Sequence, residues 1–172
     1  MKLGFHGATT MPADLQTDIA ATAHAGFTAL ELWAAKVDRY LAGHSVANLK
    51  ALLEENHVAP MTFNSIEFIA FRGDEFGAIK DRCRQLCEIA QAIGCPSVAV
   101  IPSPTPTWQT TWETIVVPLA EICARLKGIG YDGPCSVELF RPEYWEWDPM
   151  QLAVKAKDAA MKVLSPYFEV ES

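Results

Sequence analysis

Short apolar runs along the chain alternate with longer segments in which apolar residues recur at helical spacing. This alternation predicts a repeated strand–helix unit. The predicted strands are Lys2–His6, Ala29–Trp33, Ala59–Asn64 with an extension to Ile69 left open, Ser97–Ile101 and Cys135–Phe140. Successive strands begin about 26 to 38 residues apart, which is the spacing of a (β/α) barrel or of a doubly wound parallel sheet.

Capping signals mark the helices between these strands. The first helix is predicted to open within the segment 10–14, around Pro12, and to end at Ala25-Gly26. The others are predicted from Ser45 to Asn56, from Glu75 to Ile93 with Gly94 as the stop, from about 110 to 129, and from about Asp148 to Leu164. The result is an α/β domain of about five strand–helix units.

The length of the chain does not suffice for a complete barrel. An eight-unit barrel needs about 250 residues, roughly 31 a unit, and this chain has 172. A capping box begins at Thr110, yet Pro118 marks a second helix start with no strand between them. Either one helix is kinked at Pro118, or residues 1–172 form a single domain with an internal deletion seam near 114–118; spacing alone leaves both open.

Charge and hydropathy exclude several classes of partner. The 14 basic and 21 acidic residues give a net charge of −7, which repels nucleic acids and acidic membrane surfaces. No apolar run approaches the ~20 residues of a membrane-spanning helix, and the first residues lack the layout of a signal peptide. The five cysteines form no Cys-x-x-Cys pair and are expected to be reduced thiols. We therefore expect a cytoplasmic protein.

Polar side chains stand where the predicted strands end, which is where parallel barrels place their active sites. Alternation puts Glu31 and Trp33 on the face opposite Leu30 and Leu32. It likewise separates Glu138 from the apolar residues beside it. Burying a lone carboxylate is costly, so each glutamate should face a cation, a metal ion or hydrogen-bond donors.

Three more residues complete the candidate substrate site: His6, Asn64 and Arg141, which directly follows the last strand. Each also has a structural interpretation. His6 could be a satisfied core histidine, Asn64 could cap a loop, and Arg141 could pair with Glu143.

The remaining candidates have structural alternatives as well. Glu138 could belong to a buried ion pair, and Glu31 could pair with Lys36 or Arg39. Trp33 could pack in the core or form the floor of a sugar site. The aromatic segment 140–147 could be a lid or a subunit contact.

Three segments carry a resemblance to a known family: Gly4–Thr9, Ala25–Trp33 and Ile129–Phe140. Together they resemble the sugar phosphate isomerase/epimerase family, whose members have a xylose isomerase-like TIM barrel. Ile129–Phe140 looks like the eighth strand of those barrels, whereas residues 1 to about 115 look like units one to four. The resemblance therefore implies an incomplete TIM-barrel-like fold that lacks units five to seven.

The resemblance also implies a chemistry. In the family a divalent cation, commonly Mn, Mg, Co or Zn, is held by residues of strands five to eight, and only Glu138 has a counterpart here. Glu138 is thus the implied metal ligand and catalytic base of a metal-assisted proton transfer through an enediolate. His6, Glu31, Trp33 and Asn64 fall on the rim that faces a small sugar or polyol substrate.

Two functional hypotheses follow. The first is a sugar or sugar-phosphate isomerase/epimerase in which a second chain or other groups supply the missing ligands. The second is a catalytically deficient relative that binds a small molecule or self-associates. An endonuclease of the same superfamily is disfavoured by the four histidines and the charge of −7. Because an open barrel exposes its apolar interior, we also expect a homo-oligomer.

Overall fold

Five parallel strands form one sheet at the centre of the fold. The computed structural model of the protein describes residues 2–67, 73–100, 119–128, 130–131, 133–138 and 142–170. The strands are β1 (Leu3–His6), β2 (Ala29–Trp33), β3 (Ala59–Ile66), β4 (Val98–Val100) and β5 (Cys135–Val137). Their order in the sheet is β4-β3-β2-β1-β5, and the sheet curls into an open half-barrel.

Helices follow the strands along the chain, as the alternation predicts. They are α1 (Leu15–His24), α2 (Ala34–Leu41), α3 (Val46–Glu55), α4 (Phe76–Ile93), α5 (Leu119–Gly128) and α6 (Pro149–Leu164). Short 3-10 turns occupy Gly7–Thr10, Gly73–Glu75 and Pro142–Glu146. Among the described residues, every helix is too short or too polar to cross a membrane.

Local side-chain chemistry sets several of the helix ends. Ser45 and Asn48 form a capping box at the start of α3. The Asp148 carboxylate accepts from the Gln151 backbone N–H at the start of α6. Gly94 ends α4 with a φ of 77°, a conformation that favours glycine. These three ends confirm the predictions made from the same residues.

Other boundaries differ from the prediction. The first helix is capped by Asp14, the last residue of the segment 10–14, and begins at Leu15 instead of around Pro12, whereas Gly7–Thr10 forms a separate 3-10 turn. Helix α2 was not predicted, since Trp33 leads into it without any side-chain cap. The third strand continues to Ile66, and β4 begins at Val98, one residue after the predicted start. The proposed seam near 114–118 lies outside the described residues.

The pairing of β5 with β1 confirms the incomplete TIM-barrel-like fold. Leu3 lies opposite Cys135 and Phe5 lies opposite Val137 in a parallel register. The last strand of the sequence is therefore the neighbour of the first, as in a closed barrel, although only five strands are present in the described sheet. This position agrees with the likeness of the segment to an eighth barrel strand.

The hydrophobic core lies between the sheet and its helices. Leu30 and Leu32 of β2 are fully buried, whereas Glu31 and Trp33 between and after them are only partly buried. The predicted alternation along this strand is thus confirmed. Phe5 of β1 packs against Phe27 with ring centroids 5.5 Å apart. The sheet therefore turns its apolar side chains toward the helices and its polar ones toward the concave side of the half-barrel.

Replacement of Leu30 by alanine is expected to lower the free energy of unfolding by about 2–5 kcal/mol, because it opens a cavity in a fully buried position. Urea unfolding measures the change. Val154→Ala on the exposed side of α6 is the control and is expected to change stability by less than about 0.5 kcal/mol. Equal effects of the two substitutions would contradict this location of the core.

Candidate active site at the carboxyl ends of the strands

Three neighbouring strands bring polar side chains to one edge of the sheet. His6 ends β1 and lies opposite Glu31 of β2 in the parallel register. Trp33, at the end of β2, lies opposite Asn64 of β3. Glu138 directly follows β5, which pairs with the other side of β1. His6 therefore stands between the strands that carry the two glutamates.

The His6 imidazole brings the two carboxylates together. Its Nε2 atom lies 3.6 Å from Glu31 Oε1 and 3.7 Å from Glu138 Oε1. Asn64 Nδ2 donates a hydrogen bond of 3.1 Å to the same Glu31 oxygen. The side chain of His6 is 1% exposed, that of Glu31 is 13% exposed and that of Glu138 is 47% exposed. Solvent, and hence a ligand, reaches the cluster through Glu138.

A backbone contact determines the tautomer of His6. The Ala8 N–H donates to His6 Nδ1 over 2.9 Å, so that nitrogen must carry a lone pair. The proton of the neutral ring therefore resides on Nε2, which points toward the two carboxylates. Burial lowers the pKa of His6, and Glu31 and Glu138 oppose that shift. Within the described chain, no group lies within hydrogen-bonding distance of this buried Nε2.

Lys36 does not pair with Glu31, which corrects one structural alternative. Its Nζ atom instead lies 2.6 Å from Asp18 Oδ2 in the interior. Arg39, the other proposed partner, lines a cavity with Tyr40 and His44 beside the start of α1. In the described structure Glu31 is held by Asn64 and faces His6. Sequence reasoning missed Asp18, because its partner is 18 residues away on another helix.

The structure describes only some of the other predicted site residues. Trp33 is half-buried at the end of β2, beside the Glu31–Asn64 contact. Arg141 lies outside the described residues, and so does its possible pairing with Glu143. Tyr144 and Trp147 of the aromatic segment make an edge-to-face contact with centroids 5.2 Å apart. The structure does not assign that segment as a lid or as a subunit contact.

A divalent metal ion does not fit the side chains that the structure describes. Among them there is no group of three or more His, Cys, Asp or Glu residues that could hold one. His6 approaches both glutamates, but its Nε2 bears the proton as long as Nδ1 accepts from Ala8. A metal-ligating nitrogen must instead offer a lone pair. Glu138, which the family resemblance implies as a metal ligand, lacks co-ligands among the described residues.

Comparison with curated proteins finds a short stretch of similarity, and no family model matches the chain. The inosose isomerase of Halalkalibacterium halodurans is 41% identical over 54 residues. This stretch represents 31% of the chain and 19% of that protein, so the chain matches only a small part of its relative.

Comparison with solved structures covers nearly the whole chain. The IolI protein with a bound zinc atom superposes with a TM-score of 0.87 at 18% identity, over 98% of this chain and 100% of the other. The chain has the xylose isomerase-like TIM-barrel fold. A fusion protein named for such a barrel and for a 4-hydroxyphenylpyruvate dioxygenase has a TM-score of 0.76 at 12% identity, over 98% of this chain and 45% of the fusion.

A third xylose isomerase-like barrel comes from a sugar epimerase. D-Psicose 3-epimerase of Clostridium cellulolyticum, solved with D-tagatose, has a TM-score of 0.56 at 15% identity over 95% of this chain and 99% of the other. At these identities the structural likeness establishes the fold. The confirmed expectation is therefore an incomplete barrel of the xylose isomerase-like type.

Acidification below pH 6.5 is expected to destabilise the wild-type protein relative to His6→Asn. The pKa of His6 in the folded protein lies below its ordinary value of 6.5, so the unfolded chain binds a proton that the folded chain does not. When the unfolded chain binds more protons than the folded one, the free energy of unfolding rises with pH. The part of this free energy that depends on a neutral His6 is present above pH 6.5 and is lost as the pH falls. The asparagine Oδ1 retains an acceptor for the Ala8 N–H.

Urea unfolding of both proteins between about pH 7 and pH 5 measures this difference. His24, His44 and His57 are present in both proteins, and their contributions cancel in the comparison. Parallel stability curves would show that the folded state protonates His6 as readily as the unfolded chain does.

Proposed function

We propose that the chain binds a small sugar or polyol at the carboxyl ends of its strands and acts on it as an isomerase or epimerase, with Glu138 as the proton-transfer group. The observation that carries the proposal is the convergence of Glu31 and Glu138 on His6 from the two sides of β1. The inosose isomerase and D-psicose 3-epimerase activities named for similar proteins support the substrate class.

The described residues fit the tasks of such a reaction. Isomerisation and epimerisation both begin with removal of a proton from a carbon next to a carbonyl group, which leaves an enediolate. In an isomerisation Glu138, half-exposed at the rim, takes up that proton and returns it to the neighbouring carbon of the enediolate. In an epimerisation a second group on the opposite face of the enediolate would have to return a proton to the original carbon. Glu31 is less exposed and is oriented by Asn64, so it accepts a hydrogen bond from a substrate hydroxyl. His6 directs its Nε2–H toward both carboxylates, at 3.6 Å from Glu31 Oε1 and 3.7 Å from Glu138 Oε1.

The other rim residues contribute to binding in this proposal. The half-buried Trp33 offers an apolar surface to a sugar ring beside Asn64. Arg141, which follows the last strand in sequence, would bind a phosphate or carboxylate of the substrate.

A second candidate function is a catalytically deficient member that binds its ligand without turning it over. The described residues lack a metal-holding group, whereas the resemblance implies a Mn, Mg, Co or Zn ion. A metal-dependent reaction would require ligands from outside the described residues or from a second copy of the chain. We therefore assign no catalytic step to a metal ion.

Glu138→Gln distinguishes the two candidates. If Glu138 transfers the proton, its replacement is expected to lower kcat by about 10²- to 10⁴-fold, because glutamine cannot take up or release a proton. Isomer formation from ketohexoses and inososes is followed by chromatography, with each of the four metals and with a chelator. Glu88→Gln, the same change on an exposed helix surface, is the control and should leave the rate unchanged.

Other outcomes of this assay support or contradict the second candidate, a relative that binds its ligand without converting it. Wild-type protein that binds these sugars without converting them, and loses binding in Glu31→Gln, would support the deficient relative. Wild-type protein that neither binds nor converts any of them would contradict both candidates.

We also propose that two copies of the chain associate through the open ends of the sheet. Within the described residues, β4 and β5 each have a neighbouring strand on one side only. A two-fold axis along the barrel axis would place β4 of each copy beside β5 of the other and keep all strands parallel. A groove of about 380 Å³ beside β5, lined by apolar residues of α6, is available for the contact.

Analytical ultracentrifugation tests this association. A dimer or larger assembly is expected at micromolar concentration, because the two end strands of the described sheet each leave one edge unpaired, Val100 is exposed on β4, and apolar residues line the groove beside β5. Charge substitution of the edge residue Val100, by Val100→Lys, is expected to shift the protein toward monomer. A wild-type protein that sediments as a stable monomer would contradict the proposal.

A further inference from the structure

A buried ion pair lies behind the candidate site and is not used by the proposed reaction. Lys36 of α2 and Asp18 of α1 contact each other at 2.6 Å, and both side chains are 0% exposed. Burial raises the pKa of Asp18 and lowers the pKa of Lys36, because each charged group loses its hydration. Buried ion pairs rarely stabilise a fold more than apolar residues of the same size would. The role of this pair is therefore sought in the backbone geometry that it holds.

The pair holds both ends of one short backbone turn. Besides its contacts with Asp18, Lys36 Nζ donates to the Gly7 carbonyl and to the Thr10 carbonyl, each over 2.8 Å. The Thr10 hydroxyl in turn donates to Asp18 Oδ1 over 2.5 Å. The first and last residues of the 3-10 turn Gly7–Thr10 are therefore both bound to Lys36, and the last is also bound to Asp18.

The two middle residues of the turn reach the candidate site. The Ala8 N–H donates to His6 Nδ1 over 2.9 Å, the contact that leaves the proton on Nε2. The Thr9 hydroxyl donates to the Val137 carbonyl over 3.4 Å, one residue before Glu138. One turn thus contacts both the histidine and the strand that leads to the half-exposed glutamate.

The turn also packs closely against the pair. A Cβ atom added to Gly7 would lie 3.0 Å from Asp18 Oδ2 and 3.5 Å from Trp33 Cβ. Such a contact is tighter than side chains ordinarily adopt, so the backbone at Gly7 lies directly on the Asp18 carboxylate. A shift of that carboxylate would therefore move the turn.

We propose that the Lys36–Asp18 ion pair is a positioning device for the candidate active site: it holds the turn Gly7–Thr10 so that Ala8 keeps the His6 Nε2–H directed at Glu31 and Glu138. Lys36 and Asp18 are positioning residues, since they act through the turn and not on a ligand. The site served is the one assigned under the proposed function, and the measurement below does not depend on catalysis.

The tautomer of His6 is the property to measure. Nitrogen-15 NMR of the full chain distinguishes protonated from unprotonated ring nitrogens, and the signals of His6 are assigned by their absence from His6→Asn. Wild-type protein is expected to show His6 predominantly as the Nε2–H form. In Lys36→Met the carbonyls of Gly7 and Thr10 lose the Lys36 donor, so the turn is held less firmly. The hydrogen bond from Ala8 to His6 Nδ1 is then expected to weaken. The ratio of the Nε2–H tautomer to the Nδ1–H tautomer is expected to fall by about 2- to 10-fold.

Arg82→Met is the matched control. Arg82 Nη2 also lies 2.6 Å from a carboxylate oxygen, that of Asp38, but this pair is solvent-exposed, and the hydrogen bonds described for Arg82 go to Asp38 and Gln85 and not to the turn. Its loss is expected to leave the His6 tautomer ratio at the wild-type value. A general loss of stability without a change of geometry would leave the ratio unchanged in Lys36→Met as well.

A milder variant covers the case in which Lys36→Met does not fold. Thr10→Val keeps the shape of the side chain and removes its hydrogen bond to Asp18, so a smaller fall of the same ratio is expected. A folded Lys36→Met with the wild-type ratio would overturn the proposal. If that variant does not fold, a folded Thr10→Val with the wild-type ratio would overturn it. Absence of any isomerase activity, by contrast, would affect only the proposed function.

Discussion

The pairing of β1 with a parallel strand on each side is the interaction on which the candidate site depends. β2 supplies Glu31 on one side, and β5 leads to Glu138 on the other. His6 ends the strand between them, so the strand order brings its imidazole near both carboxylates, with Nε2 3.6 Å from Glu31 Oε1 and 3.7 Å from Glu138 Oε1. In a parallel sheet all strand ends lie at one edge, which makes such a meeting of side chains from distant parts of the chain possible.

Burial and hydrogen bonding together determine the charge distribution within this cluster. Removal from water disfavours a charged imidazole, and the backbone contact from Ala8 assigns the remaining proton to one nitrogen. The two glutamates consequently face an N–H dipole rather than a full positive charge. Glu31 has Asn64 as an additional donor, whereas Glu138 extends toward solvent. Two chemically identical side chains thereby acquire different environments, a familiar basis for dividing roles between carboxyl groups.

Local signals predicted much of the fold. The alternation of Leu30, Glu31 and Leu32 predicted both the strand and its buried face, and Ser45 and Gly94 marked helix ends where the structure has them. The place of the last strand beside β1 agrees with its likeness to an eighth barrel strand. Each of these features depends on neighbours in sequence or on a pattern within one element.

Features that arise from packing between elements were not predictable in the same way. Asp18 and Lys36 look like ordinary polar residues of two amphipathic helices, and only the packing of α1, α2 and the 3-10 turn makes them partners. The strand-end rule did select His6, Glu31, Asn64 and Glu138, but not the direction of the His6 proton, which depends on a backbone N–H two residues later.

The position of β5 has a consequence for the order in which the protein is built on the ribosome. Four of the five strands lie within the first 100 residues, yet the two ends of the site, His6 and Glu138, come together only through the contact of β1 with β5. That contact joins residues more than 130 positions apart, the kind of distant pairing that is slow to form. During synthesis, the edge of β1 that pairs with β5 therefore stays without that partner until β5 has emerged, and a ligand site of this design is completed only after that point.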